Sequence, residues 1–156
     1  VNPTCAIVRE TNREEQHVYK NILVGVDGSD SAQRAAEVAA GLASATGATL
    51  HIVTAVDEKG GAPSDLPGGM HPLSPGERAE AIARQVAESL SYKGTVQASP
   101  APGKPADALV QVAREIDADL IVVGNRRVQG ISRLLGSVAT DVAHHAPCDV
   151  YIVKTV

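Results

Sequence analysis

The stretch from Gly124 to Val138, GNRRVQGISRLLGSV, carries the densest chemistry in this sequence. It separates an apolar run from a segment of helix formers. A glycine at 124 lets the backbone turn tightly after a strand. Gly136 followed by Ser137 at a helix start leaves the N–H groups of both residues open. Together with the Ser137 hydroxyl and the positive end of the helix, those donors make a phosphate-holding set. Arg126, Arg127 and Arg133 put positive charge in the same stretch. Asp27 closes the apolar run NILVGVD and can accept hydrogen bonds from an adenine amine or a ribose hydroxyl. Spacing alone leaves a plainer reading beside each of these. The two glycines also suit a turn and a helix cap, Asp27 suits a turn, and Arg133 suits a solvated surface.

Other chemistries find no support. Ser29 and Ser31 precede a run of helix formers, and no base follows at a telling position, so they read as N-caps rather than nucleophiles. His144 and His145 are neighbours near a helix end. Adjacent helical positions do not face each other, so the pair reads as complementing the helix dipole, not as metal ligands. No CxxC or HExxH occurs, and no metal site is assigned. Gly103-Lys104 is followed by Pro105, which excludes a P-loop. No GxGxxG follows a strand and no GxSxG elbow occurs. A phosphoacceptor receiver needs an aspartate at the end of its third strand, where this chain has Ser99-Pro100. No catalytic residue is assigned. A slow ATPase or phosphotransferase ranks last, because Asp27 alone supplies no general base or Mg²⁺-carboxylate pair.

These groups need a scaffold, and the patterning supplies one. Residues 1–18 read as a polar extension, and the folded domain spans 19–156. Asn21–Val26 is an almost wholly apolar, β-branched run, the pattern of a strand buried on both faces. Asp27-Gly28-Ser29-Asp30 is a turn signal. Ser31–Thr46 reads as a helix with Ala35, Val38, Ala39 and Leu42 on one face and Gly47 as its stop. Thr49–Val56 is a second strand. Residues 57–75 form a long Gly- and Pro-rich loop, and such loops often carry function. Ser74-Pro75-Gly76-Glu77 has capping-box spacing with proline at the first helical position. The helix it opens runs to about Ser91. Thr95–Ala98 is a weak third strand, ended by a turn at Pro100, Pro102 and Gly103. Pro105 opens a helix with Leu109, Val110, Val112, Ala113 and Ile116 as its apolar positions. Asp119–Val123 is a fourth strand, Ser137–Ala146 a helix stopped by Pro147, and Val150–Val153 a last strand. Strands alternating with helices predict an α/β fold: a parallel, doubly wound sheet with helices on both faces. Its ligand crevice is expected beyond the C-terminal ends of the strands, where the winding reverses.

Composition bounds the partners. The chain has 156 residues, enough for one domain with its own core. Aromatics are three Tyr with no Phe or Trp, so the core must be aliphatic and no base-stacking platform is available. The formal charge of −4 offers no basic field for nucleic acid or anionic lipid. No apolar run nears the ~20 residues that span a bilayer, and residues 1–19 lack a signal-peptide core. The expected compartment is the cytoplasm. Cys5 and Cys148 are far apart and read as free thiols.

Three pieces, VGVDGSDSA after the first strand, ADLIVVGNR, and RLLGSVATDVAHHAPCDVYIV, make the chain resemble a single-domain universal stress protein over about residues 19–156. The nucleotide-binding branch of that family carries G-x2-G-x9-G-[ST]. Gly124 matches the first glycine, Gly136 the last and Ser137 the serine. Arg127 stands at the second glycine, with eight residues rather than nine before Gly136, and Gly130 lies nearby at another spacing. The resemblance implies a Rossmann-like five-stranded parallel sheet of order 3-2-1-4-5, with ATP or a related adenine nucleotide such as AMP or cyclic AMP in the crevice. Mg²⁺ is a possible companion of the nucleotide. The implied contacts are Val26, Asp27, Ala55 (its backbone reaching the adenine), Val123, Gly124, Arg126, Arg127, Gly136, Ser137 and Val138. The implied role is a stress or signalling regulator rather than a fast enzyme. The apolar run Val150–Val153 should lie at a sheet edge, and with the resemblance it points to a homodimer through the C-terminal strand that charges at Tyr151 and Val153 should dissociate. The plainer reading is a monomer whose edge residues 1–18 cover. The altered glycine loop keeps a second expectation alive: a protein–protein regulatory module whose nucleotide site has decayed.

Overall fold

The computed structural model describes residues 18–57, 73–125 and 135–154. These form β1 (Asn21–Gly25), α1 (Asp30–Thr46), β2 (Thr49–Val56), α2 (Pro75–Ser89), β3 (Val96–Pro102), α3 (Pro105–Glu115), β4 (Leu120–Gly124), α4 (Ser137–His145) and β5 (Asp149–Val153). The strands make one parallel sheet of order β3-β2-β1-β4-β5. This is the expected doubly wound α/β fold. Residues 1–17 of the expected N-terminal extension 1–18, Cys5 among them, and residues 58–72 of the expected long loop lie outside the described residues.

Strand alternation sorts the core into two layers. Ile22, Val24, Leu50, Ile52, Leu120 and Val122 meet α1 and α2 on one face. Leu23, Val53, Ile121 and Val123 meet α3 and α4 on the other. Both faces of the central strands are therefore apolar, which is why their sequences read as continuous runs. The buried side of α1 is all alanine: Ala32, Ala35, Ala36, Ala39 and Ala43. Val38 and Leu42, expected on the core face, pack half-buried at its margin. So small a stripe lets the helix lie close to the sheet.

The caps follow the sequence closely. Ser29 caps α1 by accepting from the Ala32 N–H. Gly47 ends α1 in the left-handed conformation, φ 72°. Ser74 and Glu77 close a reciprocal capping box on α2, with Pro75 in the first turn.

One element departs from expectation. β3 does not end before its prolines but runs through both to Pro102. Its first and last bonds explain this. Leu50 N–H donates to Thr95 O, and Gly103 N–H donates to Val56 O. In a parallel ladder the alternation between those bonds turns residues 97, 99, 101 and 103 toward β2. Pro100 and Pro102 thus fall on the outward side, where a missing N–H costs no ladder bond, as an edge strand permits.

Candidate functional site

β1 and β4 leave the sheet side by side in opposite winding directions, and a cavity of about 510 Å³ opens beyond their C-terminal ends. Its wall brings together Val26, Asp27, Ala55, Val123, Gly124, Gly136, Ser137 and Val138. Of the ten expected contact residues, only Arg126 and Arg127 are missing from this group. They lie outside the described residues, as do Gly130 and Arg133. The wall also holds residues that the sequence did not single out for the site. Ser29, Ser31 and Ala32 come from the start of α1, Pro105 and Leu109 from α3, Ala139 from α4, and Gly25, Val53 and Thr54 from the strands. Helix starts were legible at Ser29 and Pro105, and their convergence on one crevice is the consequence of the topology.

Asp27 both holds a turn and lines the cavity. Its Oδ1 accepts the Ser29 N–H at 3.0 Å and the Ser29 hydroxyl. This turn passes through Gly28 at φ 81° and delivers the chain into α1. The turn and the cavity wall are thus the same residues.

Gly124 is needed for a different reason than the expected tight turn. It is not among the glycines at positive φ. A Cβ there would stand 2.7 Å from the Ser31 carbonyl oxygen, a backbone atom that cannot swing aside. The glycine lets the start of α1 press against the end of β4, and this close approach forms the back of the cavity.

Gly136 is the N-cap residue of α4, with φ −60° and ψ 155°. Its N–H, expected to be open, donates to Asn125 Oδ1 at 3.0 Å. Asn125 follows β4 directly, so this bond ties the helix start to the strand end. The first helical bond is Thr140 N–H to Gly136 O. The amides of Ser137, Val138 and Ala139 therefore have no acceptor within the helix, and all three residues line the cavity. No acidic residue lies in the first turn of α4, whereas Asp30 lies in that of α1. The positive end of α4 is the less compensated of the two, and an anion in this cavity is best placed there.

One further residue bears on an earlier expectation. Cys148 is a free, half-buried thiol, and burial, with Asp149 and Asp119 nearby, pushes its pKa up, away from a reactive thiolate. Among the described residues no cluster of three or more His, Cys, Asp or Glu could hold a metal ion, and no helix is long and apolar enough to cross a membrane.

Comparison with known proteins bears on what this arrangement is. The model of the universal stress protein family matches residues 18–154. Universal stress protein Rv1636 of Mycobacterium tuberculosis is 39% identical over 143 residues, covering 88% of this chain and 97% of the relative. A putative universal stress protein of Staphylococcus aureus is 33% identical over 141 residues, covering 88% and 85%. Among solved structures, a universal stress protein in complex with cAMP matches with a TM-score of 0.66 at 37% identity, covering 89% of this chain and 99% of that one. The Archaeoglobus fulgidus universal stress protein in complex with dAMP matches with a TM-score of 0.57 at 25% identity, covering 88% and 99%. With the family model matched over residues 18–154 and a relative 39% identical over 143 residues, this chain belongs to the universal stress protein family.

Proposed function

We propose that the chain is a cytoplasmic regulator that binds an adenine nucleotide in the cavity at the ends of β1, β2 and β4. The observation that carries this reading is the convergence of Asp27, Ala55, Gly124 and the first turn of α4 on one crevice of about 510 Å³. That volume is in the range of small-molecule sites, about 300–1,000 Å³. The Ser137–Ala139 amides would hold a phosphate, Asp27 a ribose hydroxyl, and the Ala55 backbone the adenine edge. Arg126 and Arg127 would add charge beside the phosphate. Relatives solved with cAMP and with dAMP make a monophosphate or cyclic monophosphate the first ligand to try. ATP, with Mg²⁺ held by its phosphates, is the next. In this reading residues 19–156 are the binding domain, preceded by the polar extension 1–18.

A calorimetric panel of ATP, ADP, AMP and cyclic AMP tests the proposal. Saturable binding of at least one, lost in Gly136→Val, is the expected result. No heat from any of the four, with a clean apo mass after purification, would favour the second reading, a protein–protein module with a decayed site. Two features speak for that alternative: the Gly136 N–H is already taken by Asn125, and Arg127 stands where the family motif has glycine. Replacing Arg127 by glycine separates its possible roles. Weaker binding means that the guanidinium pairs with phosphate, and tighter binding means that it fills part of the phosphate's place.

A further inference from the structure

Thr54 is about 95% buried on β2, and its hydroxyl oxygen has no hydrogen-bond partner among the described residues. Buried polar atoms in native proteins are nearly always paired, so an orphan calls for an explanation. Thr54 also belongs to the cavity wall. Along β2, Leu50 and Ile52 face α1 and α2, and the strand's alternation puts Thr54 on the same side. The start of α1, with Ser29 and Ser31, closes the cavity on that side. We infer that the Thr54 hydroxyl is a specificity-determining contact that hydrogen-bonds the base of a nucleotide seated in this cavity. The inference rests on the nucleotide reading above.

The sheet order says which part of the ligand reaches it. β1 lies between β2 and β4, so Thr54 stands two strand spacings, about 9–10 Å, from the strand that leads to the α4 amides. A phosphate at those amides leaves the sugar over β1 and the base over β2. The Asp27 carboxylate lies at the end of β1, between the two. A hydroxyl both donates and accepts, so Thr54 can meet a ring nitrogen or an exocyclic amine by rotating its O–H. A ligand that satisfies a buried, otherwise unpaired group gains from it, and one that lacks the matching atom is rejected.

The test compares wild type, Thr54→Val, Thr54→Ser and Thr54→Ala, titrated with AMP and cyclic AMP, with thermal unfolding of each unliganded protein. Valine removes the hydroxyl and keeps the branched shape. It should weaken binding about three- to tenfold while leaving the unliganded unfolding temperature unchanged or higher, since an unpaired polar atom is gone. Serine should keep near wild-type affinity. Valine binding as tightly as wild type would overturn the inference and leave the hydroxyl to an internal water. Should valine fail to fold, alanine and serine decide: equal affinities overturn it, and a three- to tenfold advantage for serine supports it. Wild type that binds neither probe nor any other adenine nucleotide would bring down the nucleotide reading and this inference with it, a result distinct from a silent Thr54.

Discussion

A methyl group on Gly124 would meet the Ser31 carbonyl at 2.7 Å, whereas one on Gly41 would meet nothing within 4 Å. The two glycines should therefore answer in opposite directions. Gly124→Ala should destabilise by about 1–3 kcal/mol, the usual cost of overpacking, and deform the back of the cavity. Gly41→Ala, in the exposed middle of α1, should gain up to about 1 kcal/mol. Urea unfolding of both variants checks the pair. His51 gives a pH effect. It is buried on β2, with Nε2 3.3 Å from Asn21 Oδ1, and burial lowers its pKa below 6.5. The unfolded chain then takes up the proton first. Stability is complete above about pH 6.5 and falls as pH drops through the depressed folded value. Urea midpoints at pH 7.5 and 5.5 should differ in wild type and differ less in His51→Gln. At this scale the sequence pointed to glycines and an aspartate that line the cavity, Gly124, Gly136 and Asp27, but not to the reason for Gly124. The Ser31 backbone that constrains it is distant in the chain and carries no sequence mark.

Elements were more legible than contacts, because caps are local. The Ser74–Glu77 box and the Gly47 stop are read from residues three or four apart, and both occur. Ser74→Ala should cost about 1 kcal/mol by thermal unfolding. A normal unfolding temperature in that variant would mean that α2 is held by packing alone. β3 was misjudged for a physical reason. Proline argues against a strand only where its N–H would face a partner, and which side that is depends on register, which becomes visible once Gly103 is seen bonded to Val56. The α4 start was half right. Its helix was plain from the sequence, but the Asn125 carboxamide that takes the Gly136 N–H belongs to the preceding strand end.

For the whole molecule, the sheet order puts β5 at one edge and β3 at the other. The proposed homodimer uses β5, where Tyr151 is 47% exposed. Val153, expected beside it, is instead buried in the core layer of α1 and α2 at 5% exposure. A charge at Val153 would test folding rather than association, so Tyr151→Glu is the informative variant. Light scattering at micromolar concentration should give twice the 16.1 kDa chain mass for wild type and the single mass for Tyr151→Glu. A wild-type mass near one chain would end the proposal. The prolines of β3 then acquire a second meaning. Two of its four outward positions, 96, 98, 100 and 102, lack a donor, so that edge cannot template another strand along its length. If two copies join through β5 as proposed, the pairing would use that edge of each and leave the proline-studded β3 rims, the other edges of the described sheet, at both ends. Growth by that proposed pairing would then stop at two, and so aliphatic a sheet would not become the repeat unit of a ribbon.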